Sequence, residues 1–163
     1  MNSGAGNTGF FNSGNSNTGI GNLGNTNTGF GNSCNINTGG FNAGTLNTGF
    51  GSVLTQTVQN SGFGNEGSGN SGFGNADPVG FGNSGFFNTG SGNSGIMNSG
   101  DTSQLDFNSG FGNLGINDAG FVNSGTNLAG ISNCGDESSG ILNSGDTNSG
   151  GFNSGVGLAG FFR

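Results

Sequence analysis

The sequence predicts an all-β fold, a β-solenoid of short extended pieces joined by tight turns. Three observations carry that expectation. A five-residue phrase (Asn, Ser or Thr, Gly, an apolar or small residue, often Gly) recurs along the chain, as at Asn60, Asn65 and Asn70. Large apolar residues return on a ten-residue beat, as at Phe63 and Phe73. Gly supplies 41 residues against one Pro. A helix is disfavoured, because interior Gly costs about 1 kcal/mol and a five-residue beat misses the period of about 3.6. A hairpin sheet would need longer stretches of two-residue alternation. Short strands stacked coil on coil fit the beat.

The first segment, Met1 to Gly51, keeps the frame almost unbroken, with Asn at 2, 7, 12, 17, 22, 27, 32, 37, 42 and 47. Heavy pentads carry Phe10, Ile20, Phe30 and Phe50, with Phe41 one residue late beside Gly40. They also carry Thr8, Thr18, Thr28, Thr38 and Thr48. Light pentads carry Ser3, Ser13, Leu23, Ser33 and Ala43 in the matching slot. Residues 52–59 (SVLTQTVQ) then add three residues to the frame, as do residues 76–82 (ADPVGFG). Pro78 lacks a backbone donor, so Asp77-Pro78 reads as a turn pushed out of the stack. Residues 101–107 (DTSQLDF) keep the pentad frame but exchange heavy and light. The chain therefore reads as one solenoid domain, residues 1–163, interrupted at 52–59, 76–82 and 101–107. The regular spacing of the interruptions predicts that they leave from one side.

Ser or Thr and the large residue stand two apart, so in an extended piece they share a side. That side is expected to be the interior. The predicted core is Phe10, Ile20, Phe30, Phe50, Phe63, Phe73, Phe86, Ile96, Phe111, Phe121, Ile131, Ile141 and Phe161. The intervening Gly would point outward. Asn would sit at the turns, bonding local backbone and stacking on Asn of the next coil as a ladder. A coil of four pentads, about twenty residues, is favoured over two, because ten residues leave little room for turns and a Phe-filled interior. A disordered Gly/Asn/Ser tract is the competing reading. A fixed register of Phe and only 6% charged residues argue against it.

Composition also bounds function. Net charge is −7 with Arg163 the only basic residue, which removes the Lys/Arg clusters that nucleic acid or anionic lipid requires. No apolar run approaches the ~20 residues of a membrane helix, and MNSGAGNTGFF lacks the features of a signal peptide. Without His there is no nucleophile–His–acid set, and Cys34 and Cys134 have neither a base nor a cation nearby. They are expected to be free, because the register separates them. Asp101, Asp106, Asp136 and Asp146 take the slot that otherwise holds the large residue. They read as acids in slack or bulged pentads; a weak Ca²⁺ site is the functional alternative. Paired acids could in principle hydrolyse glycosides, but Asp136-Glu137 and Asp101/Asp106 lack sugar-binding neighbours. No enzymatic activity, cofactor or metal is expected. The Thr row has the regularity of an ice-binding face, but the predicted orientation hides its hydroxyls.

The paired repeat, as in Asn17-Thr-Gly-Ile-Gly-Asn-Leu-Gly and Asn70-Ser-Gly-Phe-Gly-Asn-Ala, resembles the major polymorphic tandem repeat (MPTR) region of mycobacterial PPE-family proteins. The resemblance covers essentially the whole chain, without the N-terminal PPE domain. It implies a noncatalytic structural or adhesive repeat at the cell envelope or secreted, if attached to a PPE-type export domain. A host surface protein is then an expected partner. The different-class alternative is a module that binds a host receptor or antibody. The chain is also similar to pentapeptide-repeat proteins, which implies a right-handed, square β-helix, although Gly replaces their usual Asp or Asn before the central residue. With no recognisable caps, end-to-end self-association is expected.

Overall fold

A computed structural model describes residues 1–52, 58–101 and 103–163. The chain divides into two compact units, Met1–Gly82 and Asn83–Arg163. The boundary falls at the end of the second interruption. Both units are all-β, and all paired strands are parallel.

In the first unit the heavy pentads form β1 (Thr8–Phe10), β2 (Thr18–Ile20), β3 (Thr28–Phe30), β4 (Thr38–Gly40), β5 (Asn47–Phe50), β6 (Asn60–Phe63) and β8 (Ser71–Phe73), stacked in chain order. The light pentads add β7 (Glu66–Gly67) paired with β9 (Ala76–Asp77). In the second unit the heavy row is β10 (Ser84–Phe86), β11 (Ser94–Ile96), β12 (Ser109–Phe111), β14 (Ala119–Phe121), β16 (Ala129–Ile131), β18 (Ser139–Ile141), β19 (Ser149–Gly151) and β20 (Ala159–Phe161). Its light sheet is β13 (Leu114–Ile116), β15 (Ser124–Thr126) and β17 (Cys134–Asp136).

The register corrects the expected coil. Thr8 pairs with Thr18, and Thr18 with Thr28. One coil is therefore ten residues, two pentads, and the cross-section is two-sided rather than quadrilateral. One heavy strand and one light piece face each other across the axis.

The interior is also reversed. Asn12, Asn17, Asn22, Asn27 and their successors are the buried side chains. The predicted core residues Phe10, Ile20, Phe30, Phe63, Phe73, Phe86, Ile96, Phe111, Phe121, Ile131, Ile141 and Phe161 are exposed, and Phe50 is half-buried. The two-residue alternation holds, but with the opposite sense. Slots one and three (Asn, Gly) face in; slots two and four (Ser/Thr, Phe/Ile) face out. Two facing walls in a ten-residue coil stand too close to admit a ring between them. Asn from one wall fits because the residue opposite is Gly. At Gly130 an added Cβ would lie 3.1 Å from Asn133 Nδ2 and 1.9 Å from the Gly140 carbonyl oxygen. The Gly expected to point outward is therefore the vacancy that the Asn fills.

Interior Asn side chains are held at both ends of the amide, as at Asn17. Asn17 Nδ2 donates to Ser13 O at 3.1 Å and Gly24 O at 2.8 Å. Its Oδ1 accepts from the Asn27 backbone N–H at 2.9 Å. The expected ladder thus exists, along the axis of the coil rather than on its outer turns. Each such bond contributes about 1 kcal/mol net, and a buried amide without it would be costly. In the light row the amides also bond one another, as Asn123 Nδ2 to Asn113 Oδ1 at 3.1 Å and Asn133 Nδ2 to Asn123 Oδ1 at 3.2 Å. Substitutions in the second unit fall on the heavy row: Asp118, Leu128 and Ser138, all buried. Among the described residues Leu128 is the one fully buried large apolar side chain.

The fifth slot makes the corner and takes a left-handed backbone. Gly21 has φ +66°, but Phe11 (+58°), Val122 (+55°) and Thr147 (+57°) adopt it as well. That conformation costs an L-residue roughly 1–2 kcal/mol, which the ladder on either side offsets.

The second and third interruptions fall in light pentads. Asn47 pairs with Asn60, so the first adds three residues to its coil; residues 53–57 lie outside the described residues. In the second, Ala76–Asp77 continues the light ladder before the chain leaves it. In the third, Ser94 pairs with Ser109 and Asn98 Oδ1 accepts from the Asn113 N–H, giving a coil of fifteen residues. The apparent exchange of heavy and light is this extra pentad. Ile96 still stacks on Phe111.

Candidate functional surface

Outward-facing slots turn each unit into a solenoid with two unlike faces. On the heavy face of the first unit, slot two gives Thr8, Thr18, Thr28 and Thr38, all exposed, and slot four gives a ridge of rings. Phe50 and Phe63 stack at 5.1 Å, and Phe63 and Phe73 at 4.8 Å. These distances follow the strand spacing, and each such pair adds roughly 0.5–1.5 kcal/mol. Where slot four is Gly40, Phe30 and Phe50 close over it at 5.6 Å, and Phe41 packs edge-on against Phe30 from the corner. The Thr hydroxyls thus face water rather than the interior, contrary to expectation. They lie beside a ridge of rings, not in a flat plane of hydroxyls.

In the second unit the heavy face carries small residues in slot two, Ser84, Ser94, Ser109, Ala119, Ala129 and Ser139, beside the ridge Phe86 to Phe161. Corner residues Phe87, Met97, Val122, Leu142, Phe152 and Phe162 border that ridge and are also exposed. Every charged side chain from Asn83 to Phe162 belongs to a light pentad, to the interior or to the third interruption. Asp136, Glu137 and Asp146 stand on the light side, exposed, and Asp146 Oδ1 accepts from the Asp136 N–H at 3.0 Å.

The four acids singled out from the sequence separate. Asp101, Asp136 and Asp146 are exposed. Asp101 accepts from the Ser103 hydroxyl at 2.7 Å and from its N–H at 2.9 Å, and the hydroxyl is the main cause of its lowered pKa. Asp106 alone is buried. Its Oδ2 accepts from the Ser91 N–H at 2.7 Å, and Oδ1 has no partner. Burial raises its pKa.

Two further buried acids were not marked by their pattern. Asp77 sits at a Gly slot and accepts from the amides of Val79 (2.9 Å), Gly80 (2.8 Å) and Gly82, which closes the second interruption. Asp118 stands in an Asn slot. Its Oδ1 accepts from the Leu128 N–H at 2.9 Å, as Asn would, but Oδ2 makes no hydrogen bond. Burial raises its pKa, opposed by the Leu128 N–H. The signal was the frame itself, since residue 118 continues the Asn series.

Among the described residues no three metal-ligating side chains converge, and no helix is long and apolar enough to cross a membrane. Cys34 and Cys134 are both free thiols. The family described as pentapeptide repeats, in eight copies, matches residues 1–35, 16–53 and 59–101, together more than half of the chain. No curated protein and no solved structure matches it.

Proposed function

Because the chain belongs to the pentapeptide-repeat family, we propose that it is a noncatalytic structural or adhesive domain. Its place is at a mycobacterial cell envelope or outside the cell if a PPE-type export domain is attached to it. The observation that supports this reading is the division of labour within the pentad. Asn and Gly build the coil and stay inside, while the outward light slot varies freely through Ser3, Ser13, Leu23, Ser33 and Ala43. Such a scaffold changes what it displays without changing its fold, and it presents each residue again at the strand spacing. Repetition of weak contacts is how a surface of this kind gains avidity. The MPTR resemblance supplies the location.

The test is adhesion. The full chain is displayed on a non-adherent bacterium, and cells held by a host-cell monolayer are counted. Attachment well above the empty display system is expected. Attachment equal to it, with a folded chain on the surface, removes the adhesive role. The second reading, a host-receptor or antibody-binding module, is favoured by the acids Asp136, Glu137 and Asp146 gathered on one light face. Saturable binding to one purified surface protein, lost in a Asp136→Asn, Glu137→Gln, Asp146→Asn variant, would select it.

A further inference from the structure

We propose that the heavy face of the second unit is a self-association surface, on which a second copy of this chain seats face to face. Seven ridge residues, Phe86 to Phe161, are exposed by between 39% and 62%. At ~200 Å² per large side chain they expose about 700 Å² of nearly continuous apolar surface. The bordering corner residues take it past the ~800 Å² per partner of a stable interface. Patches above a few hundred Å² are rare on monomers.

The occupant follows from shape and charge. The large slot-four ridge runs beside a slot-two trough of Ser and Ala, two residues away along each strand, or about 7 Å. A two-fold axis parallel to the coil axis turns one copy so that its ridge lies over the other's trough. Ridge and trough have one repeat, the strand spacing, so the fit continues from coil to coil. An isologous contact demands such self-complementarity. No charge projects from this face, so nothing on it requires water or an oppositely charged partner. The acids on the light side keep that side solvated. A membrane surface fits less well. The sequence has no Trp or Tyr and only one basic residue, so the aromatic and cationic anchors of an interfacial protein are missing.

Sedimentation equilibrium on the full chain tests this. The wild-type chain is expected to be a dimer at micromolar concentration. Phe111→Asp places a charge on the ridge and gives a monomer. Ala119→Leu fills the trough while making the face more apolar; it weakens association by roughly tenfold or more, as expected for a blocked fit. Leu114→Asp, on the light face and 56% exposed, leaves the dimer intact. All three side chains point outward, and unchanged circular dichroism checks the fold. A monomeric wild type overturns the proposal. So does tighter association of Ala119→Leu, which would mean indiscriminate apolar clustering. So does flotation of the wild-type chain with neutral phosphatidylcholine vesicles in place of dimerisation.

Discussion

Replacing Asp118 by Asn changes one side-chain oxygen to an amide nitrogen and should make the protein more stable. The neighbouring ladder shows what is missing. Asn113 Nδ2 donates to Ser109 O at 3.0 Å and to Gly120 O at 3.1 Å, the carbonyls four residues back and seven ahead. The same offsets at position 118 are the carbonyls of Leu114 and Gly125. Asp118 presents to them an oxygen with no hydrogen-bond partner, buried at 1% exposure. Asp118→Asn supplies two donors there and keeps the Oδ1 acceptor for the Leu128 N–H. Two restored bonds at ~1 kcal/mol each, plus relief of a buried oxygen worth ~1–3 kcal/mol, give a gain of about 3–5 kcal/mol near neutral pH. Urea denaturation of the full chain, followed by circular dichroism, measures it. The gain should shrink in acid, because a protonated Asp118 can itself donate to one of those carbonyls. A variant no more stable than wild type at pH 7, or a gain that is the same at acid and neutral pH, would refute the reasoning.

Three other outcomes follow. Burial raises the pKa of both Asp106 and Asp118, so the folded state binds more protons than the unfolded chain. Their contribution is full below the unfolded value near ~3.9 and is lost as pH rises through the folded values; the urea midpoint should fall over that window and flatten in Asp106→Asn, Asp118→Asn. Gly120→Ala puts a Cβ 2.0 Å from the Gly130 carbonyl oxygen and should cost more than ~3 kcal/mol, whereas Gly64→Ala meets nothing within 4 Å and should cost only the ~1–2 kcal/mol of its φ of +58°, both read by denaturation. At the exposed corner residue Thr147, with φ +57° and its N–H bonded to Asp136 O at 2.8 Å, Thr147→Gly keeps the bond and should stabilise by about 1 kcal/mol on the same assay.

Much of the architecture was written in the repeat. The five-residue beat requires a short extended piece and a corner, and Gly at this density excludes a helix. The ten-residue return of Thr and Phe did not say whether a coil holds two pentads or four; four was expected, and the pairing of Thr8 with Thr18 makes it two. The Asn ladder was legible too, because identical residues at a fixed spacing can bond along an axis. Two further things were decided only by the tertiary structure. Alternation places Thr28 and Phe30 on one side of a strand but does not say whether that side is inner or outer. Hydrophobicity argues for Phe30 inside; the width between two facing walls overrules it. Ten residues enclose a gap that Asn fits opposite Gly and that a ring does not. Once Asn17 reaches Ser13 O, Gly24 O and the amide of Asn27, the polar interior is satisfied, and the rings remain outside. Likewise the frame marks position 118 as an Asn slot, but only the packed coil shows that its Oδ2 is buried where the ladder needs a donor.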